Sequence, residues 1–174
     1  MSIRYVEMKE QIYDTISKRI RESFPNSCIV WIEENQNTFL LEAYQTRKKE
    51  IAKVTTLNEV QWFHGTREEN ITKIAQGGFD PTYNRTSAYG KGTYFAKNAS
   101  YSNSYMHPNK DGISFMFLCD VVMGKPCLGR SNLEIDTNLY HSAVDNFNAP
   151  TILVSPFADG AYPRYIVAFH KSAN

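Results

Sequence analysis

Val60-Gln61-Trp62-Phe63-His64-Gly65-Thr66 is the stretch from which the rest of the chain can be read. Its apolar and aromatic residues predict a strand, His64 stands at the strand end, and Gly65-Thr66 is expected to close it. A glycine directly after that histidine lets backbone approach a ligand closely. Taken alone, such a histidine more often serves the fold than a reaction. Thr66, followed three residues later by Glu69, makes a capping-box pattern and predicts the start of a short helix. Ile71, Ile74 and Ala75 supply that helix's inner face, and Gly77-Gly78 closes it.

Upstream, Met8, Ile12, Ile16 and Ile20 recur four apart within 6–24, which is helical spacing with one apolar stripe. Pro25-Asn26 stops the helix. Cys28 to Ile32 is β-branched and aromatic, a strand, and Phe39, Leu40, Ala43, Tyr44 and Ile51 return to helical period. Downstream, residues 80–91 hold Pro, Asn, Thr, Ser and Gly and read as an exposed loop. Strand-like runs follow at 93–96, 114–123, 151–155 and 164–169, the last with Tyr165, Val167 and Phe169 on one face. Two helices followed by many short strands predict an α+β domain with helices packed on antiparallel sheet. Neither repeats nor a linker interrupt the chain, so one domain is expected over 1–174: a leading helical segment, 1–58, and a core, 59–174.

Composition narrows the function classes. A hydrophobic fraction of 42% and a charged fraction of 21% over 174 residues exclude a disordered chain. The 19 basic and 18 acidic side chains leave a net charge of +1, without the basic excess of a dedicated nucleic-acid binder. Arg47-Lys48-Lys49 reads as the solvated face of a helix. Cys28, Cys119 and Cys127 are odd in number and widely spaced, with no CxxC pair or Cys/His cluster. No metal site is therefore expected, and free thiols in a reducing compartment are. No signal-type apolar segment and no run near the ~20 apolar residues of a membrane span is present. The expectation is a soluble intracellular protein, cytoplasmic or nuclear, with no membrane partner.

Two further elements carry chemistry. In Tyr89-Gly90-Lys91-Gly92-Thr93-Tyr94-Phe95-Ala96, two glycines bracket a lysine ahead of an aromatic strand, but the GxxxxGK[ST] spacing of a phosphate loop is missing. Ala99-Ser100-Tyr101-Ser102-Asn103-Ser104-Tyr105 combines hydroxyls and aromatic rings on a short helix. The order FHGT, YGKGTYFA, ASYS is similar to the catalytic domain of the poly(ADP-ribose) polymerase family, and within it to the mono-ADP-ribosylating members. Ser142-Ala143-Val144-Asp145-Asn146-Phe147, Ala149-Pro150-Thr151-Ile152-Leu153-Val154 and Ala161-Tyr162-Pro163-Arg164-Tyr165-Ile166-Val167 extend the resemblance. It covers roughly residue 30 to the end, the helix from Asn37 to Lys49 included.

The resemblance implies a diphtheria-toxin-like ADP-ribosyltransferase fold, two packed antiparallel sheets with flanking helices and an NAD cleft between them. His64 then hydrogen-bonds the adenosine-side ribose of NAD, the Gly65 backbone and the Ser102 hydroxyl hold the nicotinamide carboxamide, and Tyr94 and Tyr105 flank the nicotinamide ring. Thr66 and Ala96 join the NAD-binding set, and the loop near 80–89 takes the position of a donor-site lid. NAD is the co-substrate and no metal is implied. The acceptor is expected to be a protein side chain, with nucleic acid as the other candidate, and the protein a monomer.

Chemistry asks for the same residue types. Cleaving the nicotinamide–ribose bond builds positive charge on the ribose, as in glycoside cleavage. Nicotinamide leaves neutral, so the site must grip and orient it more than protonate it. Aromatic faces contribute about 0.5–1.5 kcal/mol each beyond area burial. Without the motif, Tyr94 and Tyr105 would be read as core aromatics. Chain-elongating members carry a glutamate that orients and deprotonates the incoming ribose hydroxyl. The register of Ala161-Tyr162-Pro163 puts Ile152 there, and no acid lies between Ala149 and Ala158. The catalytic set is thus His64, Tyr94 and Ile152, implying transfer of one unit. In Leu139-Tyr140-His141-Ser142, histidine replaces the aspartate that relatives often show on the acceptor side. The competing readings are a module that binds NAD or ADP-ribose without transfer, and an NAD glycohydrolase; a phosphoryl-transfer enzyme would need a Walker or acidic metal motif.

Overall fold

A computed structural model of the chain describes residues 2–83 and 87–172. It opens with β1 (Ile3–Tyr5), α1 (Gln11–Ser23), β2 (Cys28–Asn35) and α2 (Thr38–Ala52). The middle comprises β3 (Glu59–Thr66), a 3₁₀ turn at Glu68–Asn70, α3 (Ile71–Gly77), β4 (Thr93–Ala96) and a 3₁₀ helix at Ala99–Ser104. The remainder is strand: β5 (Ser114–Val122), β6 (Pro126–Leu128), β7 (Ser142–Val144), β8 (Ile152–Ser155) and β9 (Ala161–His170).

Hydrogen bonding joins the nine strands in the order β1-β2-β9-β5-β3-β4-β8-β7-β6. The result is an α+β fold, a mixed sheet with a few helices. It departs from two wholly antiparallel sheets in two respects. β6 and β7 run parallel, made possible by the long return through 129–141. The two halves of the strand order are also linked, through β3 and β4, by the single rung Phe63↔Ala96. On its other edge β3 pairs with β5 along its whole length, from Glu59↔Val122 to Thr66↔Phe115.

The apolar spacing of the sequence explains most of the packing. Ile16 and Ile20 of α1 are fully buried against Phe63, Val167 and Phe169, with Ile12 beside them, while Met8 precedes the helix and is exposed. In β9, Tyr165, Val167 and Phe169 belong to that core, and Ile166 faces the opposite one with Phe95 and Phe117. The Asn37 side chain caps α2 by accepting from the Leu40 N–H, and its own N–H donates to the Ala75 and Gln76 carbonyls at the end of α3.

Four expectations are corrected. β3 does not stop at His64: Gly65 and Thr66 remain paired with Met116 and Phe115. Thr66 consequently does not cap a helix; its hydroxyl lies 3.4 Å from the Arg67 carbonyl, and a 3₁₀ turn starts at Glu68 instead. Sheet pairing over a buried strand end outweighs one local cap. Of Arg47-Lys48-Lys49, only Lys49 is a solvated side chain. Arg47 donates to Asp159 at 2.7 Å and stacks 4.2 Å from the Phe157 ring centroid, and Lys48 pairs with Glu59 at 2.7 Å, so the first ties α2 to the β8–β9 connection and the second to β3. Finally, β1, β6 and β7 were not expected, because three residues are too few to show a period. Cys119 is buried, Cys127 partly so and Cys28 exposed, all as free thiols. Among the described residues, no helix is long and apolar enough to cross a membrane.

Candidate active site

β3 and β4 separate on the C-terminal side of Phe63, and a cavity of about 710 Å³ fills the gap between them, the 3₁₀ helix at Ala99–Ser104 and α3. That size is ordinary for a small-molecule site. His64, Gly65, Thr66, Tyr94, Ala96, Ser102 and Tyr105 all line the cavity, and Ile152 does not.

His64 is held from two directions. Its Nδ1 lies 2.8 Å from the Tyr94 carbonyl, which can only accept, so Nδ1 carries a proton. Phe79 meets the ring edge-on at 4.9 Å between centroids, with Phe95 at 5.7 Å. Burial pushes the imidazole pKa below its ordinary value, against a smaller upward pull from the Tyr94 carbonyl. The neutral ring therefore keeps Nε2 as an acceptor.

Gly65 is demanded by close approach. A Cβ there would stand 2.7 Å from the Ser102 Cβ, 2.8 Å from the Ser102 carbonyl oxygen and 3.0 Å from the Met106 Cγ. The missing side chain is what lets the 3₁₀ helix sit on β3 with Ser102 beside bare backbone. The Ser102 carbonyl accepts from the Tyr105 and Met106 N–H groups at 3.0 and 3.1 Å, fixing the turn that presents Tyr105. Tyr101 and Tyr105 lie 6.1 Å apart between ring centroids. Burial raises the Tyr101 hydroxyl pKa, with the neighbouring Tyr105 adding to it.

Tyr94 has its hydroxyl engaged away from any ligand. It donates to the Gly90 carbonyl at 2.6 Å and accepts from the Tyr89 N–H at 3.0 Å, while the residue lines the cavity. The strand entrance needs Gly92, whose φ is +153° and where a Cβ would fall 2.4 Å from the Ser155 carbonyl oxygen. Lys91 does not line the cavity and pairs with Glu134 at 2.8 Å, so the Gly-Lys-Gly run secures the 130–134 segment and cradles no phosphate.

Ile152 opposes Ala96 in the β4–β8 pairing and is packed among Tyr94, Ala143 and Val154. It thus backs the Tyr94 wall without reaching the cavity. The nearby carboxylate is Asp145, which accepts three hydrogen bonds from the start of β8 and the residue before it. Its Oδ1 accepts from the Thr151 and Ile152 N–H groups at 2.9 and 3.0 Å, and its Oδ2 from the Thr151 hydroxyl at 2.6 Å. Burial alone would raise its pKa, but these donors outweigh it and hold the carboxyl below the usual range. His141 is a turn residue: its Nδ1 accepts from the Lys125 N–H at 3.0 Å, the bond an aspartate oxygen could make.

Sequence spacing assigned no role to Phe79, His107 or Lys73, nor one to Tyr83 and Tyr101 individually, and all five line the cavity. They come from four separate segments and meet only in the folded chain. Of the expected lid, Asp80 and Tyr83 reach the cavity, while Asn84, Arg85 and Thr86 lie outside the described residues.

A cleft that pairs the β3 histidine with a glycine-seated serine and two tyrosines suits a dinucleotide carrying an aromatic amide. The Thr93 hydroxyl oxygen, on the same wall, is buried without a protein partner. The family comparison agrees: the chain belongs to the family described as the poly(ADP-ribose) polymerase catalytic domain, whose model matches residues 7–145. That match includes α1, ahead of the residue-30 boundary drawn from motifs. The chain is 32% identical over 173 residues to human protein mono-ADP-ribosyltransferase PARP14, covering 91% of this chain and 10% of that protein. It is 31% identical to mouse protein mono-ADP-ribosyltransferase PARP12, covering 92% and 24%, and 30% identical to mouse protein mono-ADP-ribosyltransferase PARP11, covering 91% and 57%. The chain thus spans between a tenth and just over half of these relatives.

Proposed function

We propose that this chain binds NAD in the cavity between β3 and β4 and transfers one ADP-ribose unit from it to an acceptor, releasing nicotinamide. The observation that carries the reading is the convergence of His64, Gly65, Tyr94, Ser102 and Tyr105 on one cavity, from three separate sequence motifs. The relatives' names, protein mono-ADP-ribosyltransferase, support a protein side chain as acceptor. We read the strands on either side of the Phe63↔Ala96 rung as the two packed sheets of the transferase fold. We also read 1–174 as one catalytic domain, acting as an intracellular monomer without a metal.

In this reading NAD supplies a glycosidic bond whose cleavage leaves nicotinamide as a neutral group. Nε2 of His64 accepts from a hydroxyl of the adenosine-side ribose, its orientation set by the Nδ1–H bond to Tyr94. The Gly65 backbone and the Ser102 hydroxyl hold the carboxamide. Rings of Tyr94 and Tyr105 flank the nicotinamide and exclude water from it. Single transfer is consistent with Ile152, which offers no proton acceptor on β8, and with Asp145, whose oxygens are turned to the Thr151 and Ile152 donors.

Incubation with labelled NAD, alone and with candidate acceptor proteins, followed by intact-mass measurement tests the proposal. The expected result is a gain of one ADP-ribose per modified site. NAD consumption without any mass gain would make the chain a glycohydrolase, and neither change would leave a binding module.

A further inference from the structure

Arg19 of α1 sits partly buried and, among the described residues, makes no direct ion pair, with Glu22 of the same helix contributing only a longer-range attraction. Its Nη1 and Nη2 donate to two backbone carbonyls from separate segments, Gln61 of β3 at 2.8 Å and Lys97, just past β4, at 3.1 Å. Its guanidinium lies 4.5 Å from the centroid of the Phe63 ring, whose other contacts include the cavity. An ordinary surface arginine would point to water; burial here disfavours the charge and lowers its pKa, so the placement is costly unless the two carbonyls and the aromatic face compensate.

The location gives the arrangement its meaning. β3 and β4 share only the rung Phe63↔Ala96. Gln61 and Lys97 lie on one side of that rung, and His64 and Tyr94 on the other, where the strands part around the cavity. Arg19 bridges the first side and the His64–Tyr94 hydrogen bond bridges the second. The rung thus works as a pivot with a side-chain tie on each flank. The same helix fixes the third wall, since the Ser23 hydroxyl oxygen accepts from the Ser100 N–H at 3.0 Å at the start of the helix carrying Ser102.

We propose that Arg19 is a positioning residue for the donor site, setting the spread between β3 and β4 and through it the orientation of His64 and Tyr94. A planar fork suits this task because it can reach two carbonyls at fixed spacing, whereas an ammonium is a single flexible point charge. The proposal rests on the NAD reading for its effect on binding, but not for its effect on His64.

The test compares the unmodified chain with Arg19→Lys, Arg19→Met and Ile16→Val, the last a core change on the same helix that costs stability without touching either tie. Two readouts are needed, both well below each variant's melting temperature. The first is NMR of the ligand-free His64 imidazole, reporting its tautomer and the Nδ1–H bond to Tyr94. The second is the dissociation constant for NAD. Expected are a shifted, weakened His64 Nδ1–H signal and an NAD affinity lower by on the order of tenfold in both Arg19 variants, since sub-ångström misplacement is enough for such a loss. Ile16→Val should leave both readouts unchanged. An unaltered His64 signal in a folded Arg19 variant would overturn the proposal, as would equal changes in Ile16→Val. If the unmodified chain binds no NAD, the donor-site reading fails, and the His64 signal alone still decides the role of Arg19. Should one Arg19 variant not fold, the other supplies the comparison; failure of both to fold would make Arg19 a stability residue and refute the proposal.

Discussion

Replacing Gly65 by alanine presses one methyl group into the joint between β3 and the 3₁₀ helix. Comfortable carbon–carbon contact is about 3.5–4.0 Å, whereas the new Cβ would meet Ser102 Cβ at 2.7 Å and the Ser102 carbonyl oxygen at 2.8 Å. The helix must therefore retreat by roughly 0.8–1 Å, because one of the clashing atoms is backbone and cannot rotate away. Overpacking of this kind costs about 1–3 kcal/mol, and in a chain of this size each kcal/mol lowers the melting temperature by about 2–4 °C. The larger effect falls on binding, since Ser102 and Tyr105 move off the amide site together and a displacement near 1 Å costs on the order of 100-fold. Thermal melting with and without NAD reads both: the base melting temperature falls and the ligand-induced rise disappears. Full ligand-induced stabilisation in Gly65→Ala would refute the close-approach argument and remove the 3₁₀ helix from the nicotinamide site.

Further outcomes follow from the same geometry. Because burial lowers the His64 pKa, its stabilising contribution is complete above about 6.5 and is lost as pH falls through the depressed folded value; NAD affinity should fall over the same window as Nε2 takes up a proton, and an affinity flat with pH there would contradict the acceptor role. Tyr94→Phe leaves the Gly90 carbonyl and Tyr89 N–H without their buried partner, which should cost about 1–3 kcal/mol of stability in denaturant titration; no loss would mean that the 89–92 turn holds itself. Ser102→Ala should weaken a benzamide-type nicotinamide mimic by about 1–3 kcal/mol, measured as its inhibition constant against NAD, and an unchanged constant would put the amide elsewhere. Ile152→Glu introduces a carboxylate among Tyr94, Ala143 and Val154, where burial favours the protonated form; a weakened single transfer is expected on a gel, and polymer ladders from this variant would show that a carboxylate there is sufficient.

The elements legible in the sequence were those whose period is long enough to see. Ile12, Ile16 and Ile20 announced α1, and the alternation of Tyr165, Val167 and Phe169 announced β9. Thr66 misled because its cap signal is local, while its pairing partner Phe115 is far along the chain. At the site, motif spacing was enough to bring His64, Tyr94, Ser102 and Tyr105 to one cavity. It could not show that Ile152 stands behind the wall, since the strand register sets which residues pair and the packing of Tyr94 sets which of them a ligand could reach. Arg19 was invisible for a similar reason. On a charged helix it reads as one more solvated cation, and only the carbonyls of Gln61 and Lys97 distinguish it.

The strand order also constrains how the chain comes to be folded during its synthesis. β9, from residues 161–170, lies between β2 and β5, where it pairs with Cys28–Glu34 on one edge and Ser114–Val121 on the other. Until Ala161–His170 has left the ribosome, β2 and β5 each present an unpaired edge, and the core around Val167 and Phe169 has no floor. Pairing β9 with β2 closes a loop spanning most of the chain, a topology in which folding is slow because long-range closure precedes its reward. The nascent polypeptide thus waits for β9 with adhesive edges exposed, a state open to wrong pairing and to chaperones alike.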